Sequence, residues 1–412
     1  MKNYDAIRSI CDENNRISRK VIDEFLIYYA ASRNNLEHKM QKEFNSYKHV
    51  TSELKNEFVN MFKAQYLAHS IFKKDGSLKR LIKHAELQRL TNEEMNFLKK
   101  HAEYPWQFSF SVIADNPSKD FYIMEDVFSY EKHLLFSPGV SDILSERPGL
   151  LWFNLIGYNG ACWQSYGPIG SYNSFDPDDI FFFATELSPD NDDEESILAD
   201  IENNPLPYML LFTGSNYPLT VFKKDQVVHV ISEFNVEDLD TKALRESFTS
   251  EYNSGVYRFT LKDWGEHPHF STAFFDEKEK RLVLSAMTDR GFDALMKVFH
   301  DFGYTYPKEP FIRTHPSMIV TAARIMNKEI ELNEYDKLFT IEPSAENKEF
   351  IDKLNVFTGL VLPDINAGRE PDIEKHAAKA GIDIDTARDF IRTIRDKTDE
   401  MRRGIKPMRS LD

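Results

Sequence analysis

The most recognisable chemistry in the sequence belongs to two histidines and two carboxylates in the short segment "DWGEHPHF". Asp263, Glu266, His267 and His269 lie within seven residues of one another. Histidines two positions apart on an extended segment face the same side, as two ligands of one metal ion must. Pro268 between them favours an extended backbone. The segment is therefore a candidate metal or acid–base site, and the alternative is an ordinary loop that precedes a strand.

A second candidate is the aromatic and glycine-rich stretch "LIGYNGACWQSYGPIGSYNSFDPDDIFFF", residues 155–183. Its glycines match neither the P-loop nor the dinucleotide-binding fingerprint, and no lysine follows that could reach a phosphate. Aromatic side chains in and just before it could line a groove for a peptide or an apolar ligand. They are Trp152, Tyr158, Trp163, Tyr166 and Tyr172. The alternative is that these residues form the core of a small sheet while the glycines serve its turns.

Three aspartates at the end of this stretch, Asp176, Asp178 and Asp179, could supply oxygen ligands to a hard cation. Their spacing does not match a calcium-binding loop, and the alternative is that they cap a turn. Cys162 has no histidine partner nearby in the sequence and is interpreted as an inert buried thiol. We predict no cofactor.

The segment "IEKHAAKAGIDIDTARDFIR", residues 373–392, has the pattern of a helix-turn-helix, with Gly381 in the turn. Arg388 and Arg392 are its candidate nucleic-acid contacts. Three aspartates lie near the start of the presumed recognition helix, where phosphates and base edges would be met first. Two packed helices with a structural or protein-binding role are therefore favoured over DNA recognition.

The charge is unevenly distributed: +6 over residues 1–100, −23 over residues 101–368 and +1 over residues 369–412, for a total of −16. Residues 148–222 contain no Lys or Arg. Such a region repels nucleic acid and anionic lipid at low salt, and it could face a protein partner with a basic surface. Nucleic acid is not an expected partner, and the oligomeric state is left open.

Cysteine usage and hydropathy bear on the compartment. Two cysteines, Cys11 and Cys162, are too few for a disulfide framework, which favours a reducing compartment. No run of about 18 apolar residues could span a membrane, and the first residues lack a signal-peptide core. We expect a cytoplasmic location.

Hydrophobic periodicity predicts a helical region over residues 1–103, which ends in a helix that starts near Asn92 behind a capping box of Thr91 and Glu94. Short β-branched and aromatic runs then predict a small antiparallel sheet or barrel over 104–187, with "DIFFFATEL" as its last strand. An α+β domain over 188–305 follows, with helices at 188–205 and about 237–250 and a strand at "YMLLFT". A helical tail covers 306–412. The fold class is α+β, with two consecutive antiparallel-sheet units between helical ends.

The motifs "FYIMEDVFSYEKHLLFSP" and "HFSTAFFDEKEKRLVLSAMTDRGFDALMKVFHDFGY" give residues 104–303 a resemblance to uncharacterised bacterial proteins that often end in a SEC-C tail. The resemblance implies an early hairpin and a later strand–turn–strand–helix unit. The C-terminus "DEMRRGIKPMRSLD" has no Cys or His, so the zinc site of that tail is not implied here. The resemblance bears on architecture and names no activity.

No catalytic motif stands out, so the leading prediction is a non-enzymatic protein–protein interaction or adaptor role. The first alternative is a nucleic-acid-associated regulator that acts through residues 373–392. The second is a metal-dependent hydrolase that uses the segment "DWGEHPHF". A salt-dependent DNA-binding assay would separate the first two functions, and metal analysis would test the third.

Overall fold

The computed structural model describes residues 3–33, 35–146, 149–222, 224–339, 345–366 and 369–392. The chain divides into two compact units. The first comprises residues 1–220, 228–230 and 310–330, and the second comprises 221–227, 231–309 and 331–412. The order of elements, with N-terminal helices, central sheets and C-terminal helices, confirms the predicted α+β class.

The N-terminal region is helical. Its helices span Tyr4–Ser18, Arg19–Leu26, Ile27–Arg33, Leu36–Ser46, Lys48–Thr51, Asn56–Phe72, Leu78–Leu81, Leu87–Arg89 and Asn92–Glu103. The second of these is a π-helix, a wide form that is rare in globular proteins. The predicted capping box is present: Thr91 Oγ1 accepts the N–H of Glu94 at 3.3 Å, and Glu94 Oε2 accepts the N–H of Thr91 at 2.9 Å.

The region after Pro105 is a closed five-stranded barrel. Its strands are β1 (Gln107–Ser118), β2 (Phe121–Asp126), β3 (Lys132–Phe136), β4 (Leu151–Tyr158) and β5 (Trp163–Tyr172), with a helix at Pro138–Glu146. They pair in the order β1-β2-β3-β5-β4. All neighbours run antiparallel except β3 and β5, which are parallel. This one parallel pair departs from the predicted antiparallel sheet.

Alternate residues of the barrel strands lie on opposite faces and pack into two different apolar layers. Trp152 and Ile156 of β4 join a core cluster with side chains of β2 and β3. On the other face, Phe153 stacks on Phe108, with ring centroids 4.9 Å apart. The ring of Phe108 in turn lies 4.7 Å from that of His69, on the helix Asn56–Phe72. The barrel and the N-terminal helices therefore share a core within the first unit.

The rest of the first unit contains elements that the sequence predicted incorrectly. They are helices at Pro177–Leu187, Pro205–Leu210 and Leu211–Gly214 and a strand at Ile312–Thr314, whereas the helices at Glu194–Asn203 and Pro316–Met326 lie in regions that were predicted to be helical. "DIFFFATEL" is thus a helix, and it starts at a capping box of Asp176 and Asp179. "YMLLFT" is also helical, and the helix predicted over 188–205 begins only at Glu194. Burial of the apolar side chains on several sides hides the helical period.

The second unit contains β6 (Val221–Phe222), β7 (Asp225–Gln226), all but the first two residues of β8 (His229–Asn235), β9 (Phe248–Asn253), β10 (Val256–Leu261), β11 (Thr272–Asp276) and β12 (Arg281–Ala286). Strands β8 to β12 lie in the order β8-β12-β11-β10-β9. The predicted helix is present at Asp289–Asp301 and directly follows β12 in the chain. The helix predicted at 237–250 is instead a 3-10 turn at Ala243–Glu246 followed by β9, which pairs with β10 along its whole length.

The C-terminal helices span Asp336–Phe339, Ala345–Asn366 and Ile373–Ala380, and residues 384–392 are also helical. Phe357 and Val361 of the long helix share a buried cluster with Ala377, Ala387 and Ile391. Residues 393–412 lie outside the described residues, so the C-terminal sequence "DEMRRGIKPMRSLD" does too. The last three of these helical segments therefore pack together around one core.

Candidate binding groove

A groove with a volume of about 470 Å³ lies at one end of the barrel. Strands β1, β3 and β5 begin at this end, and β2 and β4 finish there, as the pairing directions require. Its lining includes Glu103, Tyr104, Trp106, Asp126, Glu131 and Trp163. The end of a barrel is a frequent place for a binding site because the strands leave a concave surface there.

Aromatic rings form one side of the groove. Tyr104 is 44% exposed, and its ring lies 5.3 Å from that of Tyr158, which in turn lies 5.7 Å from that of Trp163. Trp106 is nearly buried and is held in place by stacking on Phe72 at 4.3 Å. The groove therefore offers an apolar wall that is rigid at its base and exposed at Tyr104.

Two exposed carboxylates add negative charge to the groove. Among the described residues, neither Glu103 nor Glu131 has a side-chain ion pair or hydrogen bond. Asp126 is different, because it is buried and its Oδ1 accepts the N–H groups of Phe128 and Ser129 at 3.0 and 2.9 Å. Asp126 therefore shapes the β2–β3 turn, while Glu103 and Glu131 remain able to meet a ligand.

Some lining residues could not be recognised from the sequence. Glu103 ends a helix, Glu131 lies in a turn and Trp163 starts β5, so closure of the barrel brings them together. No local spacing links these positions. The one available signal in the sequence was Tyr104 directly before Pro105, because a residue that precedes a proline often marks a change in chain direction.

The five aromatic residues predicted for a groove have separate locations. Trp163 lines the groove, and the ring of Tyr158 contacts the ring of Trp163. Trp152 and Tyr172 are 0% exposed and belong to the core, which corrects the idea that they line a groove. Burial raises the pKa of the Tyr172 hydroxyl above its usual range. Tyr166 is half-buried, and its hydroxyl donates a hydrogen bond to Asp23 at 2.5 Å.

The barrel interior also holds polar atoms that lack partners. The indole N–H of Trp152, Oδ1 of Asn154 and the hydroxyl of Ser171 are buried with no hydrogen-bond partner among the described residues. Asn154 lies opposite Ser109 in the β1–β4 register, and Ser109 donates to Asp126 at 2.7 Å. A polar strip therefore runs inside the barrel from its middle to the residues that shape the groove.

The predicted metal segment of the second unit does not bring its four side chains together. His269 Nδ1 lies 2.7 Å from Thr288 Oγ1, and the ring of His267 packs 4.2 Å from that of Phe222. Asp263, Glu266, His267 and His269 do not form a group of candidate ligand atoms, whereas another set in the described part of the chain does. The segment connects β10 to β11, with a cis peptide bond before Pro268.

That other set consists of Asp176, Asp179 and His315, whose candidate ligand atoms lie within 4.8 Å of one another. Asp179 is fully buried and already accepts four hydrogen bonds, from the N–H of Asp176, the hydroxyl of Thr314, and the N–H and Nδ1 of His315. Arg313 pairs with Asp176 at 2.6 Å. With every lone pair of Asp179 engaged, the cluster joins a helix to a strand and is a poor cation site.

The helix-turn-helix pattern is present, but its candidate arginines are paired. Gly381 has φ of 69°, which the turn between the two helices requires. Arg388 lies 3.2 Å from Glu374 and 3.7 Å from Asp385, and Arg392 lies 3.0 Å from Asp389. Nearby carboxylates therefore neutralise the two arginines of the presumed recognition helix.

Across the described part of the chain, no helix combines the length and the apolar composition needed to cross a bilayer. The resemblance to proteins with SEC-C tails stays a prediction. Comparison with protein-family models, with curated proteins and with solved structures returned no match for this chain.

Proposed function

We propose that the chain is a non-enzymatic protein-interaction protein of the cytoplasm, and that the barrel groove binds a basic segment of a partner. The observation that carries this proposal is the pairing of exposed aromatic surface with two unengaged carboxylates, Glu103 and Glu131. A Lys or Arg side chain suits both, because its methylene stem packs on rings while its charged end meets carboxylates.

The surrounding charge supports the same partner. Residues 148–222, which include β4 and β5, contain no Lys or Arg. An acidic surface of this kind attracts a basic segment over a distance and raises the rate of association at low salt. Lys74 is the one basic side chain among the described residues that line the groove.

The proposal can be tested with two labelled peptide pools. One carries a fixed Lys or Arg between randomised positions, and the other carries Gln at that place. We expect the full chain to bind the basic pool more tightly, and the double substitution Glu103→Gln and Glu131→Gln to weaken this binding about five- to thirtyfold. That range corresponds to about 1–2 kcal/mol for two partly exposed ionic contacts.

The matched control is Glu24→Gln with Glu37→Gln, which removes two exposed carboxylates from other helices. This control should leave affinity within about twofold. Equal binding of the two pools, or equal affinity of the groove variant and the control variant, would contradict the proposal.

A nucleic-acid-associated regulator is the second candidate, because one observation favours it. The helices at Ile373–Ala380 and 384–392 pack with Ala345–Asn366 around a common core, as helix-turn-helix domains do. The paired arginines weigh against it. A sequence-selective complex with duplex DNA at physiological salt would promote this candidate over the first.

A further inference from the structure

The only two cysteines of the 412-residue chain meet in the first unit. Cys11 lies on the first helix and Cys162 in the turn between β4 and β5, and their Sγ atoms are 3.3 Å apart. Both are free thiols, 0% and 1% exposed. A disulfide needs about 2.05 Å between sulfurs, so an approach of about 1.2 Å would allow the bond to form.

The surroundings hold the two sulfurs against each other. Asn159 Nδ2 donates to Cys11 Sγ at 3.3 Å and lies 3.8 Å from Cys162 Sγ. Asn159 Oδ1 accepts the N–H of Cys162 at 2.9 Å, which fixes the turn that carries this cysteine. Gln164 Nε2 donates to the backbone carbonyl of Cys11 at 3.1 Å, which fixes the helix.

We propose that Cys11 and Cys162 form a redox pair that a small-molecule disulfide, such as glutathione disulfide, converts into an intramolecular disulfide. The bond would tie the first helix covalently to the β4–β5 turn, next to Trp163 of the groove. This inference rests on the sulfur geometry and does not depend on the proposed peptide binding.

The two thiols have different roles in the exchange. The hydrogen bond from Cys162 lowers the pKa of Cys11, and the same contact with burial raises the pKa of Cys162. The Cys11 thiolate attacks one sulfur of glutathione disulfide, forms a mixed disulfide and releases one glutathione thiolate. Cys162 then loses its proton to solvent and attacks the Cys11 sulfur, which releases the second glutathione. Two protein thiols are oxidised and one glutathione disulfide is reduced to two thiols.

Access requires the first helix to separate locally, because both sulfurs are covered. The helix Tyr4–Ser18 is held by an ion pair of Arg8 with Asp120 at 2.8 Å and by packing of Tyr4 on Phe121 at 5.1 Å. A single helix held by such contacts can open locally while the rest of the unit stays folded. A measurement at equilibrium is therefore a better test than a rate, since slow access does not change the end point.

The experiment equilibrates the full chain in buffers of varied reduced and oxidised glutathione, both folded and unfolded in urea. Free thiols are then trapped and counted, and cross-linked peptides are mapped by mass. We expect a peptide that joins Cys11 to Cys162 within single chains. In the folded protein it should form at a ratio of reduced to oxidised glutathione at least about tenfold higher than the ratio at which the unfolded chain is oxidised. Cys11→Ser and Cys162→Ser should each leave one thiol and no such peptide.

Three results would overturn the inference. Thiols could persist in the folded chain under buffers that oxidise the unfolded chain, disulfides could join separate chains, or both cysteines could end only as mixed disulfides with glutathione. Circular dichroism of the reduced protein and of both serine variants confirms that the compared samples are folded.

Discussion

Replacement of Asp179 by asparagine should destabilise the first unit by about 3–5 kcal/mol. Asp179 is fully buried, and its two oxygens accept hydrogen bonds from Asp176, Thr314 and His315 at 2.6–3.0 Å. Asparagine keeps the volume but replaces one oxygen with an NH2 group, which is a donor. Whichever oxygen is replaced, two existing donors then face another donor.

The magnitude follows from the contacts. A hydrogen bond to a charged group contributes about 1.5–3 kcal/mol, and two of four such bonds are lost. His315 can recover one of them by losing the proton on Nδ1, which then accepts a hydrogen bond from the new NH2 group, and this lowers the expected cost from the top of the range. Removal of one partner of a buried charged pair costs about 3–5 kcal/mol in other proteins, which agrees with this value.

Urea unfolding followed by tryptophan fluorescence measures the change. Three of the four tryptophans, Trp106, Trp152 and Trp163, belong to the first unit, and Trp264→Phe removes the signal of the second. The two-unit chain need not unfold in one step, so this selective signal is necessary.

The same substitution at the neighbouring Asp178 is the control. The Asp178 side chain is 57% exposed and lies 3.4 Å from Arg313. Asp178→Asn should therefore change stability by less than about 1 kcal/mol. A loss below about 1 kcal/mol for Asp179→Asn, or equal losses for the two variants, would refute the view that the Asp179 contacts hold this part of the unit together.

The cluster also predicts a pH dependence. Burial by itself lowers the pKa of His315, but the hydrogen bond and charge of Asp179 outweigh it, and the pKa is raised. A raised pKa gives a stabilisation that is complete below the unfolded value of about 6.5 and is lost as pH rises through the folded value. Asp179→Asn should remove this loss at rising pH, which urea unfolding at a series of pH values would show.

Three further outcomes are expected. Gly157→Ala should destabilise the first unit by about 1–3 kcal/mol in urea unfolding, because a Cβ there would overlap the Trp106 indole, and an unchanged midpoint would count against that packing. Burial lowers the pKa of His101 to about 3, so acidification from pH 7 to 5 should cost about 2 kcal/mol of stability through this residue, and His101→Gln should lose that part of the pH dependence. Duplex-DNA binding by gel shift should be weak and unchanged by Arg388→Ala with Arg392→Ala, because both arginines are paired with acids; a nanomolar, sequence-selective complex lost in that variant would refute this.

Local sequence patterns predicted the elements with distinct signals. The capping box at Thr91 placed the start of a helix, and the β-branched runs placed β10, β11 and β12. The prediction of a strand at "DIFFFATEL" was wrong. Its aromatic residues favour β-structure, but Asp176 caps a helix, and this cap was interpreted only as part of a turn. Pattern and cap conflicted there, and the cap was the better guide.

Features that depend on barrel closure could not be predicted from spacing. Glu103, Glu131 and Trp163 line one groove only because the starts of β1, β3 and β5 meet at one end. The approach of Cys11 to Cys162 likewise depends on how a helix packs on a distant turn. Such contacts join residues far apart in the chain, and a single sequence carries no periodic signal for them.

The dependence of an early helix on a late strand has a consequence during synthesis. Gln65, on the helix Asn56–Phe72, donates hydrogen bonds to the carbonyls of Tyr166 and Pro168, which the ribosome adds about a hundred residues later. At roughly 5–20 residues per second, that delay is on the order of 5–20 s. During this time the nascent helices present the apolar side chains that β5 will cover. Chains released before Tyr172 should therefore depend on molecular chaperones far more than the finished protein does.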